Sequence, residues 1–337
     1  MSNFLLDVKT VGSVSTAYQK ARDDTAVTLG ALGYSPIELQ ASFSRLGRLM
    51  AIPKLNIRLG RLGPSDLLLT QHPLNSRAFY ATLSGGARGR GYTNVLLVHD
   101  IDYLRYGYDA DAGITLAEQM ALREADGLIT LTPNMSEYLS GIGVSQPMTQ
   151  MQVWDYLTPC KPRPAANYSG TAVYAGNLNK AAFLRQLPTG LKLRVYGPGR
   201  EQDLKQAVDY AGVFPADELP GLLDGDFGLV WDGDSPDSGA GDFGTYLRYN
   251  AQHKLSLYLA AGLPVAVWDQ AGTANFVTDN HVGWAIKSLG EFKERLAATT
   301  EAEYAELRAN AAKVGEQIRS GHFLRSAVER ITELTRS

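Results

Sequence analysis

The chain has 337 residues, a formal net charge of −3, 45% apolar residues and 20% charged residues. This length favours two domains of ordinary globular composition, and the near-neutral charge argues against a nucleic-acid-binding domain. A single cysteine, Cys160, excludes an intrachain disulfide and the two-cysteine zinc patterns. The N-terminus has no basic start and no long apolar run, so neither a signal peptide nor a transmembrane segment is expected, and the predicted location is cytoplasmic.

The first half of the chain alternates between short apolar runs and helical patterns. Strands are predicted at 66–71, 94–100 and 127–132, and helices at 74–84, 115–125 and 134–139. A strand that ends in polar residues, followed by a helix and another strand, is typical of parallel βαβ units.

The segment 158–170, TPCKPRPAANYSG, interrupts this pattern with prolines and is predicted to be a linker. Strands are predicted again at 171–177, 192–197, 226–231 and 264–268, and amphipathic helix from about 301 to 335 with a break near Gly321. The expected organisation is an N-terminal Rossmann-like domain (1–157), the linker, a second Rossmann-like domain (171–320) and a C-terminal helix (321–337) that packs back on the first. Ligands of such sheets bind beyond the carboxyl ends of the strands.

Lys254 lies in the first turn of a helix predicted from about 251 to 261. Asn250 is its expected N-cap, and Gly262 and Pro264 mark its end. A lysine near a helix N-terminus opposes the helix dipole unless an anion is also present, whereas free N–H groups together with an ammonium suit a phosphate or pyrophosphate. A solvated surface lysine is the alternative.

A second glycine-containing turn favours the phosphate interpretation. Gly176 and Asn177 directly follow a predicted strand, and Lys180 is close enough in sequence to reach the same anion. The chain has neither the G-x-G-x-x-G fingerprint nor a Walker A motif, which argues against NAD and P-loop chemistry. A nucleotide diphosphate held by scattered loop and helix-start contacts fits these features.

Three stretches resemble one bacterial glycosyltransferase family. They are LLVHDIDYLR (96–105), EADGLITLTPNMSEYLSGIGV (124–144) and YLRYNAQHKLSLYLAAGLPVAVW (246–268), the last flanked by FGLVWDGD and VGWAIKSL. The chain resembles the accessory glucosyltransferases that extend GlcNAc on serine-rich-repeat adhesins, together with the galactofuranosyltransferase-type enzymes of polysaccharide synthesis.

The resemblance implies an α/β fold of GT-B type, with two Rossmann-like domains facing a cleft and the UDP-sugar donor on the C-terminal domain. It implies no metal or other cofactor, and a homo-oligomer. The donor positions that it implies are Lys180, Phe214 near the uracil, Lys254 on the pyrophosphate and Thr16 from the N-terminal domain. Lys180 stands where arginine is expected and Phe214 where tyrosine is expected.

Residues that precede Lys254 or follow predicted strands complete the expected site. Tyr249 and Asn250 precede Lys254 and are expected to hold the phosphates or the sugar, together with Gly176 and Asn177. Asp100 is the candidate base for the acceptor hydroxyl.

Several competing interpretations concern carboxylates and surface segments. Asp100 instead caps a helix or pairs with Arg105, or Asp102 takes its place as base. Asp232, Asp234 and Asp237 resemble a D-x-D metal motif, although their glycine-rich surroundings favour a loop without metal. Residues 84–92 are predicted to form a mobile basic loop. Residues 45–63 are predicted to form a helix and a strand with arginines among leucines, which is a solvated face or an oligomer or membrane patch.

The sequence thus predicts a hexosyltransferase, with glucose as the first donor candidate and a glycan acceptor such as GlcNAc-modified adhesin protein or a lipid-carried saccharide. A galactofuranosyl- or other hexosyltransferase of polysaccharide synthesis is the first alternative. A glycosyltransferase-like partner subunit without catalysis is the second, and a UDP-GlcNAc epimerase of the same fold is the third.

Overall fold

The computed structural model describes residues 2–10, 17–41, 45–74, 76–106, 112–164, 167–199, 208–239, 241 and 244–336. The chain divides into two compact units. Unit 1 comprises residues 1–151 together with 324–337, and unit 2 comprises residues 152–323. Each unit is built on its own six-stranded parallel sheet.

The sheet of unit 1 has the strand order β2-β1-β3-β4-β5-β6, and every pairing is parallel. The order reverses between β1 and β3, which creates a topological switch point at their carboxyl ends. The inner strands are nearly continuous apolar runs because helices cover both faces. The strands are β1 (Asn3–Thr10), β2 (Ser35–Ala41), β3 (Leu67–His72), β4 (Thr93–Val98), β5 (Gly127–Thr130) and β6 (Met148–Gln150).

Among the described residues of unit 1 there are seven α-helices, including the last helix of the chain. Gly127 at the start of β5 lies against Ile331 and Thr335 of that helix. The helices are α1 (Ala17–Ala31), α2 (Arg45–Leu59), α3 (Arg77–Arg90), α4 (Asp102–Tyr106), α5 (Ala112–Glu124), α6 (Pro133–Gly141) and α12 (His322–Arg336), whose first two residues fall in unit 2.

The sheet of unit 2 has the strand order β12-β11-β10-β7-β8-β9, again parallel throughout. Its switch point lies between β7 and β10, so the residues that follow these two strands meet at one edge of the sheet. The strands are β7 (Ala172–Ala175), β8 (Leu193–Tyr196), β9 (Val208–Gly212), β10 (Phe227–Val230), β11 (Val265–Trp268) and β12 (Gly283–Ile286).

One tyrosine fastens a helix to the two strands at this switch point. The helices of unit 2 are α7 (Leu219–Leu222), α8 (His253–Ala260), α9 (Ala274–Asp279), α10 (Leu289–Ala298) and α11 (Glu301–Arg319). Tyr258 of α8 is fully buried, and its hydroxyl accepts from the Ala175 amide at 2.7 Å and donates to the Leu229 carbonyl at 3.3 Å. Gly228 leaves room for the ring, since an added Cβ there would lie 2.2 Å from Tyr258 Cγ.

The structure corrects three local predictions. Residues 84–90 continue helix α3, which Ser76 caps at its start and Gly91 ends in a left-handed conformation, so the basic glycine-rich stretch is not a loop. Residues 45–59 form one helix through Pro53, without the predicted strand. The N-cap of α8 is Gln252, because the chain enters the helix two residues later than predicted, whereas Gly262 is left-handed as expected.

The segment expected as a linker is bound to unit 2 by hydrogen bonds and ring contacts. The Asp226 carboxylate accepts from the amides of Ser169 and Thr171, and Tyr168 packs against Tyr304 with 5.0 Å between ring centroids. The strands β1, β2, β6, β9 and β12 had no counterpart among the strand ranges predicted from the sequence. Four of them are edge strands and β1 lies beside an edge, and their burial is mixed.

We expect Gly228→Ala to lower the free energy of unfolding by about 1–3 kcal/mol, because the added methyl overlaps the fixed Tyr258 ring. Urea unfolding measures the effect. Gly85→Ala is the matched control, since nothing lies within 4 Å of its added Cβ inside helix α3, and alanine is the better helix former. Equal stability changes in the two variants would contradict the packing constraint.

Candidate functional site

Two glycine turns meet beyond the carboxyl ends of β7 and β8. The Gly176 amide donates to the Tyr196 carbonyl at 3.0 Å, and an added Cβ on Gly197 would lie 2.0 Å from the Gly176 oxygen. Gly197 has a φ of 125°, so both its conformation and its contacts require glycine. Asn177 caps a 3₁₀ turn, Leu178–Lys180, by accepting from the Asn179 amide at 3.0 Å. This close packing brings Lys180 to the same edge of the sheet.

Lys254 is the second residue of helix α8, and its ammonium contacts the residues Asp232, Tyr174 and Trp231. It forms an ion pair with Asp232, which follows β10, and donates to the Tyr174 hydroxyl and the Trp231 carbonyl, both at 3.3 Å. The ammonium also lies 4.6 Å from the centroid of the Tyr174 ring. Gly176 is adjacent, because an added Cβ would lie 3.2 Å from Lys254 Cε. The structure therefore brings Gly176 and Lys254 together at the switch point.

Asp232 supplies the negative charge that a lysine at a helix start requires. The dipole of α8 opposes the ammonium, and a carboxylate on the neighbouring strand end offsets that repulsion. The two side chains are 13% and 25% exposed, so the pair is shielded and still accessible. Burial, and then the Asp232 charge, raise the pKa of Tyr174 well above its usual range, so this phenol stays neutral.

The sequence analysis missed Asp232 as the partner of Lys254. It identified both residues, one at a strand end and one at a helix start, but 22 positions separate them. The only available signal was that Asp232 follows β10 and that α8 is the next α-helix in the chain, so both residues belong beyond the carboxyl end of this strand.

The remaining predicted donor residues occupy different surroundings. Phe214 is 38% exposed and its ring lies 6.1 Å from that of Tyr196, in the segment after β9. The Asn250 side chain accepts from the Gln252 amide group and is not the helix cap. Tyr249 ends a 3₁₀ turn that precedes α8. Thr16 falls outside the described residues.

In unit 2, four buried side-chain oxygens of described residues have no hydrogen-bond partner, and they lie in sequence around α8 and the end of β11. They are Gln252 Oε1, Ser256 Oγ, Asp269 Oδ1 and Thr273 Oγ1. A buried polar atom without a partner is uncommon. The sequence analysis did not select any of the four.

Unit 1 carries its own polar cluster at the carboxyl end of its sheet. Asp100, two residues after β4, forms an ion pair with Arg105, and the His99 ring is edge-on to Tyr18 with 5.8 Å between centroids. Arg22 of α1 donates to the Tyr18 hydroxyl at 3.1 Å and to the Asp7 carboxylate at 3.3 Å. The pairing of Asp100 with Arg105 was one of the predicted alternatives.

Glu118 of helix α5 fixes the segment that contains these residues. Its carboxylate contacts His72 Nε2 at 3.0 Å and accepts from the backbone amides of Asp102 and Tyr103 at 3.0 and 3.2 Å. Tyr80 extends this hydrogen-bonded network, with its hydroxyl 3.2 Å from His72 Nδ1. Glu118 and His72 are fully buried. No sequence motif identifies Glu118, because its contacts with His72 and with the amides of Asp102 and Tyr103 form only in the folded chain.

The carboxyl group of Asp102 has a raised pKa. Burial, and then the Glu118 charge, raise the pKa of Asp102 to about 7, while His72 and Arg105 oppose the shift. A carboxyl group that titrates near neutral pH is well suited to exchange a proton with a substrate.

Comparisons with known proteins identify the family. The C-terminal domain described as Glucosyltransferase 3-like matches residues 172–331, and the corresponding N-terminal domain matches residues 8–153. Beta-1,6-galactofuranosyltransferase WbbI of Escherichia coli K12 is 32% identical over 293 residues, which covers 85% of each chain. The chain belongs to the Glucosyltransferase 3-like family. Glucosyltransferase 3 of Streptococcus parasanguinis is 26% identical over 326 residues, which covers 94% of this chain and 93% of that protein.

Solved structures confirm the fold expected for this family member. HepE of Anabaena, in complex with UDP and glucose, superposes with a TM-score of 0.65 at 13% identity and covers 99% of this chain and 100% of its own. An alpha-glucosyltransferase in complex with UDP and DNA superposes with a TM-score of 0.60 at 11% identity, with 99% of both chains covered. The α/β GT-B fold is therefore confirmed, and the family identifies the chain as a glycosyltransferase.

The described residues contain neither a membrane-spanning helix nor a cluster of metal ligands. No helix among them is both long and apolar enough to span a bilayer. Within the same ranges no group of three or more His, Cys, Asp and Glu side chains is arranged to hold a metal ion. Metal independence stays a prediction.

We expect the Asp102 carboxyl to make stability pH-dependent. Its pKa is raised from 3.8 to about 7 in the folded state, so the native protein holds this proton more tightly than the unfolded chain. The resulting stabilisation is complete below about pH 4 and is lost as the pH rises through about 7. Asp102→Asn mimics the neutral form, so it should stabilise the protein more at pH 8 than at pH 5, as measured by urea unfolding.

The control for this titration is Asp279→Asn, because Asp279 is exposed at the end of α9. Parallel stability curves for the Asp102 variant and the unmodified protein between pH 5 and pH 8 would contradict the expectation.

Proposed function

We propose that this protein is a UDP-sugar-dependent hexosyltransferase whose donor diphosphate binds at the switch point of unit 2. The observation that carries the proposal is the cluster of Lys254, Asp232 and Gly176 beyond β7 and β10. It combines a shielded ammonium, a helix N-terminus and a glycine that admits close backbone approach. The UDP in the HepE and alpha-glucosyltransferase complexes supports the nucleotide class.

Lys254 would stabilise the leaving group. As the bond between the anomeric carbon and the UDP oxygen breaks, its electron pair adds charge to the β-phosphate, and an ammonium preorganised beside helix amides lowers the energy of that state. The Asp232 carboxylate would hold Lys254 in place before the donor arrives and share it afterwards. Lys180 and the Gly176-Asn177 turn are proposed to contact the same diphosphate, and Tyr249, Asn250, Phe214 and Thr16 the rest of the donor.

The acceptor reaction would require a base in unit 1. The acceptor hydroxyl oxygen forms the new bond to the anomeric carbon, and a carboxylate takes its proton. Asp100 is the proposed base, because it lies just beyond the carboxyl end of β4, where ligands of such sheets bind. Asp102 is the second candidate, because its pKa of about 7 favours proton exchange near neutral pH.

Glucose is the proposed hexose, and a glycan such as GlcNAc on a Ser/Thr-rich protein is the proposed acceptor. A galactofuranosyl donor with a saccharide acceptor is the second candidate, because the identity to the galactofuranosyltransferase WbbI is 32% against 26% for Glucosyltransferase 3. A homo-oligomer is the proposed assembly.

We expect Lys254→Ala to weaken UDP binding by about 10- to 100-fold and to lower kcat/KM for transfer by at least about 100-fold. Isothermal titration with UDP, then with UDP-glucose and UDP-galactofuranose, measures the first effect. A transfer assay measures the second. Repeating both with EDTA tests metal independence. Asp232→Asn should bind UDP at least as tightly as the unmodified protein, because it removes the carboxylate that competes for the ammonium.

Lys287→Ala is the matched control, because this lysine is exposed at the end of β12. Full transfer activity in a folded Lys254→Ala protein would refute the role of this lysine. UDP binding without transfer to any acceptor would favour the non-catalytic subunit instead.

The two candidate bases are separable by their pH profiles. If Asp100 is the base, Asp100→Asn lowers kcat by about 100-fold or more with unchanged UDP affinity, and Asp102→Asn retains activity. If Asp102 is the base, its variant loses activity, and the unmodified enzyme shows an inflection of kcat/KM near pH 7. An active Asp100→Asn enzyme would exclude Asp100.

A further inference from the structure

Helix α2 of unit 1 exposes an unusual number of large apolar side chains. Four of them are well over half exposed, namely Leu46 at 67%, Leu49 at 60%, Met50 at 71% and Ile57 at 67%. Pro53 between them is exposed as well. These five residues define the apolar stripe of α2.

The stripe faces away from the core. At about 100° per residue, positions 46, 49, 50, 53 and 57 fall within one third of the helix circumference. The opposite side carries Ala51, Leu55 and Leu59, which are buried in the core of unit 1. The helix therefore has two apolar faces. Other described residues cover the face with Ala51, Leu55 and Leu59, whereas the stripe stays exposed.

Cations flank the stripe. Residues 45–63 contain five basic residues and no carboxylate, although the whole chain carries a net charge of −3. Lys54 and Arg61 are exposed beside the stripe. The Arg90 guanidinium, from the end of α3, reaches Gly60, where an added Cβ would lie 3.8 Å from Nη2.

Arg58 donates to the backbone carbonyl of Glu38 on the adjoining edge strand. The surface thus combines an apolar stripe with a basic border of Lys54, Arg58, Arg61 and Arg90.

We infer that the apolar stripe of α2 binds the surface of an anionic lipid bilayer, with the helix axis parallel to the membrane. Leu46, Leu49, Met50 and Ile57 would enter the boundary between headgroups and acyl chains, and the basic border would face the lipid phosphates. An exposed apolar face bordered by lysine and arginine is the composition of helices that lie in a membrane interface. The inference does not depend on the proposed transfer reaction.

Charge selects the lipid surface over a second copy of the same helix. A twofold contact of α2 with itself would place two sets of cations against each other without a carboxylate on either helix. An anionic headgroup layer instead attracts each lysine and arginine near its surface.

The test is co-sedimentation of the full chain with vesicles of phosphatidylcholine, with and without about one third phosphatidylglycerol. We expect binding to the anionic vesicles that weakens with added salt. Ile57→Asp should lower the partition coefficient by about tenfold or more, because the apolar contact is lost. Lys54→Glu should lower it by a similar factor, because one attraction becomes a repulsion.

Each variant has a matched control. Val27→Asp introduces the same charge at a β-branched residue that is 62% exposed on α1. Lys313→Glu makes the same charge reversal at an exposed position of α11. Both controls should bind the anionic vesicles like the unmodified protein, and thermal unfolding should show that all four variants are folded.

Two results would overturn the inference. One is the absence of binding to anionic vesicles, or an equal loss of this binding in the α2 variants and in their controls. The other is a dimer that Ile57→Asp dissociates while no form of the protein binds vesicles, which would assign the stripe to self-association. UDP titration of the same variants separates this result from the donor-site proposal, since α2 and the Lys254 cluster belong to different units.

Discussion

The ion pair between Lys254 and Asp232 is the interaction on which the proposed donor site depends. It joins the start of helix α8 to the end of strand β10, and the Tyr174 ring and hydroxyl from β7 complete its surroundings. A charged pair with little solvent exposure is costly to assemble, and removal of one partner leaves the other charge uncompensated. We therefore attribute the pair to its place in the proposed site and not to a contribution to folding stability. It keeps an ammonium at a helix start, where the helix dipole also favours an anion.

The surrounding packing fixes that position. Tyr258 lies one turn beyond Lys254 on α8, and its buried hydroxyl connects the ends of β7 and the body of β10. A side chain at position 228 would overlap the Tyr258 ring, and a side chain at position 197 would overlap the backbone of Gly176. Small residues on the strands thus set the distance between helix and sheet. That distance in turn allows the ammonium of Lys254 to reach Asp232.

Unit 1 uses a similar arrangement for a different purpose. The buried Glu118 and His72 hold the backbone after β4, so two neighbouring carboxyl groups acquire different environments. Asp100 is paired with Arg105, whereas burial beside Glu118 keeps Asp102 protonated up to about pH 7. A carboxyl group with a raised pKa is a recurring feature of acid–base sites. The outer face of α2 is separate from this cluster and owes its character to composition alone.

The sequence by itself determined the class of fold and the glycine turn that follows β7. Apolar runs and helix stops located most inner strands, and Gly262 was correctly placed at the end of α8, because these signals are local. Tertiary structure decided the rest. The glycine-rich 84–90 stretch is helix because α3 packs on the sheet, and Tyr174 and Gly176 meet Lys254 because β10 adjoins β7 in the strand order. Glu118 has a role only because folding brings a loop to it, since partners distant in sequence leave no local pattern.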